Sequence, residues 1–318
     1  QGAEPHHFHV IRPETDFETE TFRVASFAAY YRLVQRSLQQ DIAAESCDSY
    51  PEPVGHCEVC RWWKECDEKR RDDDHLSYIA GASKLQRKEL ERNGLSTLAA
   101  LAQKGLPKAF RPVHGSKAGY ERIHKQAHIQ WMGRESGNRK HERLELETGK
   151  GLFRLPEPSE GDIFFDIEGD LFVKDGGIEY LFGVVYHERG ELQYWHRWVV
   201  NREQELAAYE DLLRWFKARL AWFPGLHIYH FDDYEPSALK RLMQRYAKGM
   251  EELDQLLRGE IFVDLHKIVK QSVRASVERY SLKDLECFFG YEREQDLREV
   301  GRRSASLNIS WSCFIPRR

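Results

Sequence analysis

Two acidic side chains, Asp166 and Glu168, interrupt the otherwise apolar segment DIFFDIEGD. Side chains alternate across a β-strand, so residues two apart project from the same face, and both carboxylates are expected on one side. An unpaired carboxylate costs on the order of several kcal/mol to bury, and a divalent cation compensates for that cost. The spacing therefore predicts a metal site. A surface pair on an edge strand is the alternative, but Phe164, Phe165 and Ile167 favour a central strand.

A third candidate ligand, Glu235, opens a predicted helix directly after a short predicted strand at 226–230. Two further strands are predicted at 179–186 and 192–200, and they precede a long amphipathic helix. Glu235 is then expected at a strand end that faces Asp166 and Glu168. Together the three residues predict a catalytic site in which two Mg²⁺ or Mn²⁺ ions, about 4 Å apart, activate water and stabilise the leaving oxygen of a phosphodiester.

Four of the six cysteines lie within twenty residues of one another: Cys47, Cys57, Cys60 and Cys66. The last three form a C-x2-C-x5-C pattern, in which the short gap lets two thiolates face one ion across a tight turn. The pattern predicts Zn²⁺ or an iron–sulfur cluster, and a redox-inert loop is the alternative. The fourth ligand is left open between Cys47, His56 and a cysteine upstream of the first residue. Zinc would accept either of the first two, whereas a [4Fe–4S] cluster ordinarily takes a cysteine.

The formal net charge of −4 conceals a strongly basic segment. Residues 76–143 contain fourteen Lys and Arg against five Glu, a balance of +9 that leaves −13 for the rest of the chain. Within this segment two short predicted helices joined at Asn93-Gly94 resemble a helix-hairpin-helix, whose turn presents backbone N–H groups to phosphate. An ordinary αα-corner with a solvated basic surface is the alternative. The candidate nucleic-acid contacts are Lys84, Arg87, Lys88, Asn93 and Gly94.

The composition, 41% hydrophobic with 12% aromatic residues, predicts a folded protein of two or three domains. No run of about 18 apolar residues and no charged leader followed by an apolar stretch occurs, so neither a membrane span nor a secretory signal is expected. A cytoplasmic setting is the resulting expectation. A helix from about 26 to 40 carries an aromatic face, from Phe27 to Val34, that is predicted to be core. Because the chain starts at Gln1 rather than Met, it is expected to be an internal fragment.

Several segments resemble known nucleases. FFDIEGD is similar to the first motif, Asp-x-Glu, of the DEDD exonucleases, and HFDDYEPSAL, which contains Glu235, resembles the second. IFVDLHKIVKQSV and YSLKDLECFFGYE continue as in the YprB-type ribonuclease H-like group. Upstream, FAAYYRLVQ, YPEPVGHCEVCRWWKEC and HLSYIAGASKLQRKELERNGLSTLAALA are similar to RecB-like nucleases, in which a cysteine-bearing PD-(D/E)XK domain precedes a YprB-type domain.

This resemblance implies an α/β fold: a ribonuclease H-like mixed sheet with flanking helices, preceded by the C-terminal remnant of a RecB-like nuclease domain with a cysteine metal cluster and helical hairpins. It assigns the remnant to 1–75, a basic helix-hairpin-helix-like connector to 76–150, the ribonuclease H-like domain to 151–300 and an irregular tail to 301–318. The implied function is 3′–5′ exonuclease activity in DNA repair, recombination or nucleic-acid processing. The implied partners are nucleic acid, DNA rather than RNA, and a helicase domain in the same full-length protein.

The sequence departs from this family at two places. The PD-(D/E)XK catalytic residues should precede the first residue, so no activity is assigned to the first segment. The third DEDD motif, a Tyr or His followed by Asp, is expected beyond Tyr291, whereas Tyr280-x3-Asp284 has the spacing but lies one helix too early. The alternative function is therefore a catalytically incomplete nucleic-acid-binding module that serves a helicase or nuclease elsewhere in the full-length protein.

Overall fold

The computed structural model describes residues 5–11, 17–44, 50–170, 173 and 176–291. Cys47 and the predicted tail at 301–318 lie outside these described residues. Backbone contacts divide the chain into two units, of which the first contains residues 1–60 and 171–177 and the second contains 61–170 and 178–318. The four-part domain division stays a prediction.

The first unit consists mainly of a hairpin and a helix. Strands β1 (His7–Ile11) and β2 (Thr19–Arg23) pair antiparallel, and β2 leads directly into α1 (Val24–Ala43). The helix forms where it was predicted, but none of its residues is buried in the described structure. The prediction that its aromatic face forms a core is therefore wrong here, because a two-stranded hairpin is too narrow to cover a helix of 20 residues.

The second unit begins with four helices, of which the last three share one core. They are α2 (Trp63–Asp72), α3 (Lys84–Arg92), α4 (Leu98–Lys104) and α5 (Lys117–Ser136). The side chains of Ser83, Thr97 and Ser116 accept hydrogen bonds from backbone N–H groups in the first turns of α3, α4 and α5, which fixes where these helices start. The apolar faces meet in a core that includes Leu76, Leu90, Leu98, Leu101 and Tyr120.

The predicted Asn93-Gly94 turn follows α3 and leads to α4, whereas the resemblance to a helix-hairpin-helix stays a prediction. Gly94 adopts a φ of +75°, which favours glycine, and the Asn93 side chain donates to the Glu89 carbonyl at the end of α3. The buried carboxylate of Glu89 accepts hydrogen bonds from the N–H groups of residues 113 and 114 and from the Tyr120 hydroxyl. Burial opposes ionisation, but these donors outweigh it and hold the pKa of Glu89 below its ordinary value. The Glu89 carboxylate thus connects α3 with the loop that precedes α5 and with α5 itself.

A five-stranded mixed sheet forms the centre of the second unit. Its order is β6–β5–β4–β7–β8, with β4 (Ile163–Asp170), β5 (Ile178–Glu188), β6 (Glu191–Trp198), β7 (Ile228–His230) and β8 (Phe262–Asp264). Strands β4, β5 and β6 are antiparallel, whereas β7 pairs parallel with both β4 and β8. The predicted order of three antiparallel strands, a helix and a returning strand is confirmed, as is the mixed α/β class.

One face of this sheet packs on helices. Along β4, Ile163, Phe165 and Ile167 are buried in a core with α6 (Arg202–Trp222), α7 (Tyr234–Tyr246) and α8 (Met250–Arg258). Asp166 and Glu168 alternate with them and are exposed on the other face. A slip of one residue would exchange the two faces, so the core determines which side presents the carboxylates.

The sheet and the helical part of the second unit are joined by a short ribbon. After β8, helix α9 (Leu265–Ser272) leads into β9 (Val273–Ala275), which precedes α10 (Leu282–Leu285). Strand β9 pairs antiparallel with β3 (His141–Arg143), which follows α5. The buried side chain of Gln126 on α5 donates to the Ala275 carbonyl, and Arg71 and Arg134 form ion pairs with Glu278. These contacts pack the two parts into one unit.

Candidate functional site

The carboxylates of Asp166 and Glu168 lie on the middle strand of the sheet. Because β4 has β5 on one side and β7 on the other, the alternative of a pair on an edge strand is wrong. Across β5, Asp166 is opposite Gly183 and Glu168 is opposite Leu181. Both carboxylates are accessible to solvent, which a site that takes a dissolved substrate requires.

Glu235 lies in the first turn of α7, which begins shortly after β7 ends. Its side chain is buried, and its negative charge acts on Asp166. The nearby Nδ1 of His230 lies 3.6 Å from Glu235 Oε2, but it is 2.6 Å from the Asp232 carbonyl, which can only accept, so its proton is directed there. Glu235 Oε2 therefore has no hydrogen-bond partner among the described residues. A buried carboxylate oxygen without a donor is a position where a cation would compensate.

A buried ion network fixes the start of α7. The carboxylate of Glu179 on β5 accepts hydrogen bonds of 2.8 Å from both the Tyr234 hydroxyl and the Arg241 guanidinium. Gly169 lies opposite a bulge at which β5 carries one extra residue, Tyr180. A Cβ atom on Gly169 would overlap the Glu179 carboxylate and the Tyr234 hydroxyl. Because Tyr234 directly precedes Glu235, the close approach at Gly169 and this network together determine where Glu235 lies.

The electrostatics of the site reflect the crowding of negative charge. Partial desolvation by neighbouring groups, followed by the charge of Glu235, raises the pKa of Asp166. Partial desolvation and the charge of Asp166 raise the pKa of Glu168, an effect that nearby Lys283 partly offsets. For His230, burial disfavours the charged ring, but the contacts with Glu235 and a backbone carbonyl outweigh it and raise its pKa. A divalent cation would favour the ionised form of each carboxylate.

The donor set fits a hard divalent cation. Carboxylate oxygens are the preferred ligands of Mg²⁺ and Mn²⁺. In the described part of the chain, the oxygens of Asp166, Glu168 and Glu235 do not all lie within 4.8 Å of one another, so they do not form a closed cage around a single ion. Three carboxylates would leave positions on such an ion open for water and substrate.

Tyr280 and Asp284, which have the spacing of the third DEDD motif, form hydrogen bonds with other residues. The Tyr280 hydroxyl donates to Gln126, and the Asp284 carboxylate accepts from the serine that caps α10. Lys283, between them, is the group of this segment whose charge acts on Glu168. Sequence reasoning missed Lys283, and its position directly before Asp284 was the available signal.

The cysteine cluster stays a prediction. Cys57 and Cys60 lie in the first unit and Cys66 lies on α2 in the second unit. All three are half-buried and none forms a disulfide. The Val54 N–H donates to Cys57 Sγ at 3.4 Å. Zn²⁺ and an iron–sulfur cluster both remain open as occupants.

The predicted nucleic-acid contacts lie on and after α3. Lys84, Lys88, Asn93 and Gly94 are exposed and stay predictions. Arg87 is buried, and its guanidinium donates to the Ala82 carbonyl at 2.8 Å. Its charge is directed into the protein, which argues against a contact with phosphate. The spacing of Arg87 from Leu90 on the buried face of α3 was the signal for its burial.

Comparison with known families adds to this geometry. Residues 163–307 match the family model RNase_H_2, of the RNase_H superfamily. The matched range starts at the first residue of β4 and includes Asp166, Glu168 and Glu235. This part of the chain is therefore ribonuclease H-like, which suggests a nuclease-like function. Searches of curated proteins and of solved structures gave no significant match. None of the described helices is both long and apolar enough to cross a lipid bilayer.

Proposed function

We propose that the ribonuclease H-like part of this chain is a nuclease that hydrolyses phosphodiester bonds of nucleic acid with Mg²⁺ or Mn²⁺. The observation that carries the proposal is the buried Glu235 oxygen without a donor among the described residues, on a carboxylate whose charge acts on both Asp166 and Glu168. The family match and the oxygen-only ligand set support the same conclusion. The 3′–5′ polarity is part of the proposal and follows from the DEDD resemblance.

Each residue of the site has a distinct role in this proposal. Asp166, Glu168 and Glu235 would hold the metal, which when bound would activate water and stabilise the leaving oxygen. Lys283, whose charge reaches Glu168, suits a phosphate oxygen of the substrate. His230 is a positioning residue, since its hydrogen bond to a backbone carbonyl holds the turn that leads to Glu235.

The test is cleavage of single-stranded DNA and RNA oligonucleotides labelled at either end. The wild-type protein should release the 3′-terminal nucleotide only when Mg²⁺ or Mn²⁺ is added. Asp166→Asn should reduce the rate by at least about a hundredfold, since loss of an outer-sphere partner alone costs about 10- to 100-fold. The exposed Asp233, whose side chain does not cap α7, provides a matched control as Asp233→Asn, which should keep its activity. Equal rates for Asp166→Asn and wild type would refute the assignment.

A binding module without cleavage is the second candidate. It is favoured by the Tyr280-x3-Asp284 segment, where Asp284 is hydrogen-bonded to a serine and the group that acts on Glu168 is Lys283 rather than a fourth carboxylate. In that case, the protein should bind nucleic acid in a strongly salt-dependent manner and cleave none with either metal.

The wider proposal concerns the full-length protein. It includes a role in repair or recombination, a helicase domain as partner, DNA rather than RNA as substrate and a metal held by Cys57, Cys60 and Cys66. Metal analysis together with visible absorbance would distinguish zinc from an iron–sulfur cluster, and a metal-free protein with reactive thiols would argue against both.

A further inference from the structure

An exposed aromatic surface adjoins the carboxylates. It consists of Tyr194, His196 and Trp198 on β6, which project from the same face of the sheet as Asp166 and Glu168. The side chains of Tyr194 and Trp198 are each 56% exposed. Rings of this size, adjacent to one another and open to solvent, are typical of a binding surface.

The register places this surface one strand away from the carboxylate strand. His196 lies in the same cross-strand row as Asp166, and Trp198 lies in the same row as Glu168, with β5 between them. Neighbouring strands are about 4.8 Å apart, so the two strands are separated by roughly 10 Å. That distance is comparable to the size of one or two nucleotides.

Tyr194 extends from β6 toward the carboxylates. A Cβ atom on Gly183 would lie only 3.0 Å from the Tyr194 hydroxyl oxygen, so the ring crosses β5 where this glycine leaves room. Burial and the charge of Asp166, which is opposite Gly183, raise the pKa of Tyr194. The Tyr194 ring also stacks on His196, with centroids 5.0 Å apart and an angle of 14° between the planes.

Trp198 is linked to Glu168 through Tyr180. Its ring stacks with Tyr180 of β5, with centroids 6.4 Å apart and an angle of 16°. Burial and the charge of Glu168 raise the pKa of Tyr180 to about 12, so the Tyr180 hydroxyl lies within electrostatic reach of Glu168. The pair Tyr194 and His196 is thus associated with Asp166, and the pair Tyr180 and Trp198 with Glu168.

We propose that the aromatic surface stacks unpaired nucleobases, so that the substrate of this site is single-stranded nucleic acid whose phosphate lies at Asp166 and Glu168. This inference rests on the proposed nuclease function and names its substrate class. Every base has a π-face that stacks on an aromatic ring, whereas bases inside a duplex are already stacked on each other. A metal-loaded carboxylate site attracts phosphate, and the neighbouring uncharged rings complement the bases attached to it.

The test is equilibrium binding of a fluorescein-labelled oligothymidylate with phosphorothioate linkages, measured by anisotropy in the presence of Mg²⁺, because these linkages resist hydrolysis while the metal stays available to the carboxylates. Tyr194→Leu and Trp198→Leu keep an apolar side chain but remove the ring, and each should weaken binding about tenfold. Trp222, 82% exposed at the end of α6, provides the matched aromatic control. Trp222→Leu should bind as the wild type does.

An abasic oligonucleotide with the same phosphates provides a test on the wild-type protein, which does not depend on whether a variant folds. It should bind the wild-type protein at least about tenfold more weakly than oligothymidylate, and Tyr194→Leu should not weaken it further. Equal binding of the two oligonucleotides, or an equal loss in Trp222→Leu, would overturn the stacking surface. Metal-dependent cleavage with binding indifferent to Tyr194 and Trp198 would refute this inference alone. Ring-dependent binding without cleavage would refute the nuclease alone.

Discussion

The three carboxylates of the site differ in their surroundings, and this difference has an energetic consequence. Asp166 and Glu168 are accessible, whereas Glu235 is buried with one oxygen that accepts no hydrogen bond from a described residue. An unsatisfied buried polar group costs about 1–3 kcal/mol, and more when it is charged. A bound cation removes that cost in the folded state only. Metal binding should therefore raise the stability of the fold as well as support cleavage.

Glu235→Gln tests this linkage at the level of one side chain. The substitution keeps the shape of the side chain but removes the charge, so Mn²⁺ affinity measured by calorimetry should fall by about tenfold or more. The rise in melting temperature that Mn²⁺ gives the wild-type protein should shrink accordingly. Asp233→Asn is again the matched control and should keep both. Unchanged Mn²⁺ affinity in Glu235→Gln would exclude Glu235 as a ligand.

The helices and strands around the site are joined by a second buried carboxylate. Glu205, in the first turn of α6, is 0% exposed. It accepts hydrogen bonds from the Glu179 N–H of β5, from Arg202, and from Arg245 and Tyr246 of α7. Because α7 carries Glu235, this network supports the proposed metal site indirectly.

The stability of the protein should depend on pH through Glu205. Burial opposes its ionisation, but the hydrogen bonds from Tyr246 and from the Glu179 N–H outweigh it and lower the pKa of Glu205 in the folded state below its ordinary value of 4.5. Such a group stabilises the fold above its unfolded pKa, and this contribution is lost as pH falls through the folded pKa. The free energy of unfolding should therefore decline as pH is lowered below 4.5.

Urea unfolding of Glu205→Gln over a pH series checks this expectation. At neutral pH the substitution should lower the free energy of unfolding by about 3–5 kcal/mol, because it leaves two arginines without their buried partner. Its pH dependence below 4.5 should also be weaker than that of the wild type. Glu203→Gln, an exposed residue in the same turn, is the control and should follow the wild-type curve. Parallel curves for Glu205→Gln and wild type would contradict the argument.

Gly169→Ala tests the close approach between β4, at the position of the bulge, and α7. A methyl group at this position would overlap Glu179 and Tyr234, so the free energy of unfolding should fall by about 1–3 kcal/mol. The displaced α7 should also reduce metal-dependent cleavage, measured with the same oligonucleotides. A methyl group on Gly225 would meet no described atom within 4 Å, so Gly225→Ala should leave both unchanged. Full activity in Gly169→Ala would show that the bulge does not position the site.

The sequence predicted the local features of these helices and strands but not their long-range contacts. Alternation along β4 predicted that Asp166 and Glu168 share a face, and Asn93-Gly94 predicted the turn between α3 and α4. Neither signal contains information on which distant group lies nearby. The approach of Lys283 to Glu168 therefore required the folded structure. Similarly, the aromatic face of α1 indicated a helix but not whether a surface exists to cover it.

At the scale of the whole second unit, the helical part and the sheet should unfold together. Gln126 connects them, since its amide donates to the Ala275 carbonyl and accepts from the Tyr280 hydroxyl. Gln126→Leu leaves these buried groups unsatisfied and should lower the free energy of unfolding by about 1–3 kcal/mol. Thermal unfolding followed by circular dichroism and by tryptophan fluorescence checks this, with the exposed Gln103→Leu as control. An unchanged midpoint in Gln126→Leu would show that the two parts are stable independently.

The ribbon between His141–Arg143 and Val273–Ala275 also constrains the order of events during translation. Its two strands are separated by about 130 residues, so the first must leave the ribosome long before its partner exists. Helices α3, α4 and α5 can pack as soon as they emerge, because their contacts are local. The amide of Gln126, by contrast, cannot reach the Ala275 carbonyl until β9 has left the ribosome. A ribosome stalled before residue 273 should therefore carry a folded helical segment that is not yet attached to the sheet.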